Sequence, residues 1–130
     1  MPAKLTQMDR EAVSRWVDGY ERAWRDGDVD AVERLFTEDA AYRRSPYEPS
    51  EIGHDAIKAF WLEDAGRTFA MDATVVAVDD DVAVLRVDVR YETPIEQEYR
   101  DVWIVRFAPD GRVADFEEWA YWPGRPYSTE

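Results

Sequence analysis

The sequence predicts an α+β fold in which three N-terminal helices pack on one face of a curved antiparallel sheet. Three observations lead there. The apolar residues of the first half recur at helical spacing, and those of the second half fall in extended runs. Two turn signals, "DDD" at 79–81 and "APDG" at 108–111, cut the second half into two hairpins. The chain has 130 residues, 45% of them apolar, which suits one core and one domain, with its core at about 9–123 and a short C-terminal tail.

Taken in order, Val13, Trp16, Val17, Tyr20 and Trp24 mark one face of a long first helix. Thr6 or Asp9 can cap its start, and Gly27 in "RDGD" ends it. Asp28 then caps a short second helix with Val32, Leu35 and Phe36 inward. A short strand over Ala40–Arg44 leads into the proline-broken loop "SPYEPSE". A third helix begins near His54 and turns Ile57, Phe60 and Trp61 to one side. Four strands follow as a meander: "FAMDATVVAVD", "VAVLRVDVRYE", "QEYRDVWIVRF" and "RVADFEEWAYW". Val87, Val89 and Tyr91 read as one apolar face and Trp103 and Val105 as another, so the second face suggests a homodimer.

Composition narrows the function. A net charge of −13 opposes the phosphate neutralisation that drives nucleic-acid binding, and it opposes anionic membrane surfaces. No apolar run reaches membrane-spanning length and no apolar leader core stands at the start, so a cytoplasmic protein is expected. Without cysteine, disulfides and thiolate metal sites are excluded, and no metal-ligand spacing stands out around the single histidine, His54. His54 reads as an exposed first-turn residue, "DDD" as a solvated turn, and Tyr47 as either a lid or a structural residue.

The stretch "YERAWRDGDVDAVERLFTEDAAYRRSPYEPSEIGHDAIKAFW", followed by "YRDVWIVRFAPDGRVADFEEW", resembles the SnoaL-like branch of the NTF2-like superfamily over roughly Val13–Trp122. The resemblance implies a cone (the cystatin-like α+β roll) whose sheet wraps the long helix around an apolar pocket. It also implies dimers through the convex sheet face, and activities spread over isomerases, epoxide hydrolases, cyclases and dehydratases. Fold alone does not choose among them.

Strand parity, aligned to the final "DGR" hairpin of that family, turns Arg86 and Asp88 inward. With them come Tyr99, Asp101 and Trp103, then Phe116, Glu118, Ala120 and Trp122, joined by Tyr20, Tyr42 and Arg44. Against this stands the alternation of Arg86, Asp88, Arg90 and Glu92 with Leu85, Val87, Val89 and Tyr91, which by itself sends the charges to solvent. The resemblance to epoxide hydrolases matches Arg86, Asp88 and Tyr42, but puts Glu118 for an Asp and Arg44 for an Asn. The ketosteroid isomerase pattern keeps Tyr20, but has Arg44 at the base position and Trp103 at the oxyanion acid, so that mechanism does not carry over.

The expected chemistry is therefore acid–base work without metal or organic cofactor on a small apolar or weakly polar molecule. Glu118, Asp88 and Asp101 are the candidate acids and bases and Arg86 the candidate anchor; Tyr20, Tyr42, Arg44, Trp103, Phe116 and Trp122 are the candidate binding residues. Two alternatives stay open. The charged cluster can be a network that only ties strands together, and the domain can be a non-catalytic ligand-binding or dimerisation module.

Overall fold

The computed structural model describes residues 8–63, 68–93 and 96–123. The Thr6 cap and the C-terminal tail after residue 123 lie outside them. Helix α1 spans Arg10–Asp26. It starts where the Asp9 side chain accepts from the Ala12 N–H, and it ends where Gly27, at φ 67°, returns its N–H to the Ala23 and Trp24 carbonyls. Its buried face is Val13, Trp16, Val17, Tyr20 and Ala23, the predicted stripe with Trp24 half-buried at the end. Each fully buried aliphatic on such a face contributes about 1.5–3 kcal/mol.

After a 3₁₀ turn at Val29–Ala31, α2 is only four residues, Val32–Leu35. Phe36 is not on it: its extended backbone opens β1, Phe36–Arg43, earlier than the strand predicted at Ala40–Arg44. Asp28 makes no capping bond; its Oδ2 pairs with Arg34 at 3.3 Å instead. Strand β2 is Glu51–Ile52, and α3, His54–Glu63, begins where the sequence predicts. The four predicted strands are β3 Thr68–Asp79, β4 Val82–Thr93, β5 Gln97–Phe107 and β6 Val113–Tyr121.

The sheet runs β2-β1-β6-β5-β4-β3. The last four strands are antiparallel as their turns require, but β1 lies parallel to β6, so the sheet is mixed. Register shifts interrupt β3–β4, β5–β6 and β1–β6, and bulges of this kind bend a sheet. The three helices pack on this curved, unclosed sheet, with α1 laid against an aromatic layer. Trp16 meets Phe36, Phe107 and Phe116 at centroid distances of 5.6, 5.9 and 6.3 Å, and Tyr20 meets Trp103 at 5.0 Å.

Register corrects the two-face expectation. Leu85 lies opposite Trp103, Val87 opposite Asp101, Val89 opposite Tyr99 and Ala83 opposite Val105, and residues opposite one another share a face. Val87, Val89, Tyr91, Trp103 and Val105 are therefore all on the inner face, buried together under the helices. The apolar residues of the outer face are others: Val102, Ile104 and Tyr121, each more than a third exposed, beside Trp119.

Candidate active site

The same register decides which charged residues meet. On β5, Asp101 and Trp103 point inward at 3% and 1% exposure. On β6, Glu118 stands opposite Trp103 and Ala120 opposite Asp101, so both share that face. On β4 the inward set is Leu85, Val87, Val89 and Tyr91, while Arg86 and Asp88 are exposed on the outer face. Placing Arg86 and Asp88 inward was a one-residue error of parity. Burying that row of four apolar side chains outweighs burying two charges, and the alternation along β4 already said so. The expected network of Arg44, Arg86, Asp88, Asp101 and Glu118 is thereby split by the thickness of the sheet.

What converges inside is a cavity of about 170 Å³. Trp24 from the end of α1, Arg44 just past β1 and Phe60 from α3 form one side. Val89, Tyr91, Tyr99, Asp101, Glu118 and Ala120 from β4, β5 and β6 form the other. Its rings stand at steep angles, with Trp24 to Tyr91 at 74° and Tyr91 to Tyr99 at 90°. Arg44 lies 4.6 Å over the Phe60 ring and reaches Glu48 at 3.4 Å and Glu51 at 3.6 Å.

The two inner carboxyls stand on neighbouring strands and bear on each other's proton. A pair placed this way favours holding one proton between its members. Burial pushes the Asp101 carboxyl above its ordinary range, the nearby Glu118 carboxyl and Trp103 indole pull it back, and Asp88 across the sheet raises it further. Asp101 Oδ1 and the Trp103 indole N–H are both buried without a hydrogen bond of normal geometry, so Trp103 acts on Asp101 as a nearby dipole. Beneath the cavity, Tyr20 and Tyr42 join hydroxyls at 2.7 Å, and burial holds both phenols well above their usual pKa, with negative Glu118 adding to each. Phe116 stacks on Tyr42 at 4.4 Å.

Several predicted binding residues are thus one layer too deep. Tyr20, Tyr42, Trp103 and Phe116, each about 1% exposed, form the floor that supports the acids and do not line the cavity. Of that set only Arg44 lines it; Trp122 packs edge-on against Tyr99 at 5.7 Å instead. Sequence reasoning missed Trp24, Phe60 and Tyr91 as wall residues. The signal was available for Trp24, the last apolar residue of the α1 face, which therefore reaches the edge of the core.

Other expectations resolve simply. His54 is half-buried rather than exposed, tied through Nε2 to the Phe36 carbonyl at 2.9 Å. Tyr47 is 96% exposed and closes nothing. Asp80, at φ 59°, forms the β3–β4 turn, whose carbonyls accept from Met8 and Phe107. Among the described residues no three His, Asp or Glu side chains gather as metal ligands.

Three helices on a curved, unclosed mixed sheet make an NTF2-like domain. The chain belongs to the SnoaL-like domain family, whose model matches residues 13–116. It is similar to the epoxide hydrolase/cyclase-like enzyme SalBIII, described in pyran ring formation in the polyether salinomycin. The TM-score is 0.73 at 18% identity, over 87% of this chain and 93% of that one. It is similar to an NTF-2 like protein of unknown function from Burkholderia xenovorans LB400 (TM-score 0.70, 16% identity, 89% and 88% covered). A ketosteroid isomerase-like protein from Erwinia carotovora atroseptica SCRI1043 is also similar (TM-score 0.63, 18% identity, 89% and 100% covered). At these identities the likeness is one of fold. No curated protein matches the chain. No helix among the described residues is long and apolar enough to cross a membrane.

Proposed function

We propose that this domain is an acid–base enzyme acting on a small, mostly apolar molecule held in the inner cavity. One observation carries the reading: Asp101 and Glu118 meet as a pair of carboxyls in a cavity wall otherwise made largely of rings. A carboxyl pair with one proton presents an acid and a base side by side, and a water-poor setting spreads their affinities for it. Glu118, half-buried at the rim, is the group that meets the substrate; Asp101, at 3% exposure, is the reservoir behind it. Arg44, at the opposite wall, is the stabiliser of developing negative charge. Hydration, dehydration, epoxide opening and isomerisation can all be run by such an acid and base. The epoxide hydrolase/cyclase-like relative of similar fold supports the class.

The test is a panel of small epoxides, enones and β-hydroxy ketones offered to wild type, Asp101→Asn and Glu118→Gln. Turnover in the wild type that falls about 10²–10⁴-fold in each variant is expected. Turnover indifferent to both substitutions sinks the reading.

A non-catalytic ligand-binding or dimerisation module is the second reading. Its dimerisation form, rather than ligand binding, is what the cavity size favours, for about 170 Å³ is below the ~300–1,000 Å³ of ordinary small-molecule sites. In either case we assign the outer face around Val102, Ile104, Trp119 and Tyr121 to a second copy of the chain. A cytoplasmic location belongs to the same proposal.

A further inference from the structure

We propose that the cavity takes a small organic cation, a protonated alkylamine whose ammonium meets Asp101 and Glu118 and whose hydrocarbon part lies against Trp24, Tyr91 and Tyr99. The inference rests on the reading of this cavity as a ligand site and names the ligand's chemistry.

Three observations converge. Asp101 is 3% exposed, lines the cavity and carries a buried Oδ1 with no hydrogen bond of normal geometry. A buried acceptor of this kind is costly unless a donor reaches it, and an ammonium supplies both N–H donors and opposite charge. Trp24, Tyr91 and Tyr99 line the cavity together with Asp101, with centroids 6.4 Å apart for Trp24–Tyr91 and 5.9 Å for Tyr91–Tyr99, an aromatic wall that suits the hydrocarbon part. The fourth ring, Phe60, already holds a cation, the Arg44 guanidinium at 4.6 Å.

Arg44 does not turn the site positive. Its charge is answered by both Glu48 and Glu51. The −13 net charge of the chain draws cations toward that neighbourhood.

Binding an ammonium favours the ionised carboxyls and so expels the shared proton. The groups facing the pair are Arg44 from the end of β1, Tyr20 from α1, Tyr42 from β1, Tyr91 from β4 and Tyr99 from β5, with Asp88 across the sheet. The phenols of Tyr20 and Tyr42 stay protonated, so the carboxyl pair is what titrates.

The experiment compares cyclopentylammonium with cyclopentanol, which has the same ring and a neutral donor. Binding to the full chain is read from the indole N–H resonance of Trp24 and by calorimetry in buffers of different ionisation heat. The cation is expected to bind at least about tenfold more tightly near pH 8, with proton release, and to lose that preference as acid protonates the pair. Asp101→Asn with Glu118→Gln should abolish the preference. Trp24→Leu, read by calorimetry, should weaken both probes by a similar factor, because the ring they share lies against the indole.

Equal or tighter binding of cyclopentanol overturns the inference, as does failure of both probes to bind. A preference that survives the double substitution also overturns it, for it then belongs to the general surface charge. If cyclopentanol wins while Asp101 and Glu118 still titrate as a coupled pair, the acid–base reading stands without a cationic ligand. If the two carboxyls titrate independently, the acid–base reading falls as well.

Discussion

The inner and outer faces of this sheet treat carboxylates in opposite ways. Outside, each named acid has a nearby cation or donor. Glu98 receives Arg90 at 3.4 Å and Arg100 at 3.3 Å, Asp115 receives Arg106, and Glu117 receives the Trp119 N–H at 2.6 Å. Exposed pairs like these are worth about 0–1 kcal/mol each. Inside, Asp101 and Glu118 stand together over a floor of Trp103 and the Tyr20–Tyr42 pair. One face pairs its charges across strands at the surface; the other buries Asp101, where burial makes it hard to ionise. The difference teaches that the adjacent glutamates Glu117 and Glu118 are unalike only because side chains alternate along β6.

The sharpest way to break that comparison is to move a charge across the sheet. Val87→Asp places a third carboxylate opposite Asp101 and should destabilise the fold by more than about 4 kcal/mol, read by chemical denaturation. Asp88→Ala, one residue along, should stay within about 0.5 kcal/mol. Equal costs would contradict the face assignment. Next in size, Phe116→Ala should cost about 3–5 kcal/mol, because it removes the ring stacked on Tyr42.

Asp101→Asn should work the other way. Folding raises the Asp101 pKa, so the folded chain holds that proton to higher pH than the unfolded chain, and stability drains away as pH rises through the interval between the two values. The amide keeps the size and removes the titration. Above that interval the variant should melt a few degrees higher than wild type and vary less with pH, while losing function, as measured by thermal melts across pH. A lower melting temperature above the interval would count against the buried acid. Smallest of all in stability, Ile104→Asp should leave the monomer nearly as stable but abolish self-association in sedimentation, if the outer face seats a second copy.

How much of this was legible in the sequence differs between fold and site. Helix α1 was legible because five apolar residues keep one face and both caps are local. The hairpins were legible from "DDD" and "APDG". The parallel β1–β6 pairing was not, since it joins residues some 75 positions apart and no turn announces it. At the site, β5 and β6 parity held and located Asp101, Trp103 and Glu118. On β4 the resemblance of "RVDV" to a catalytic motif was allowed to override a clean apolar alternation, and Arg86 and Asp88 were misplaced for that reason. Depth was also invisible: Tyr20, Tyr42 and Phe116 share the correct face, but parity does not say which residues of a face reach open space and which are covered by a helix.

The most direct test of the central claim is a pH titration of the Asp101 and Glu118 side-chain carboxyl carbons by NMR. The account predicts two linked, well-separated steps, one of them above the ordinary carboxylate range, with each group sensing the other. Two independent titrations in the ordinary range would contradict it.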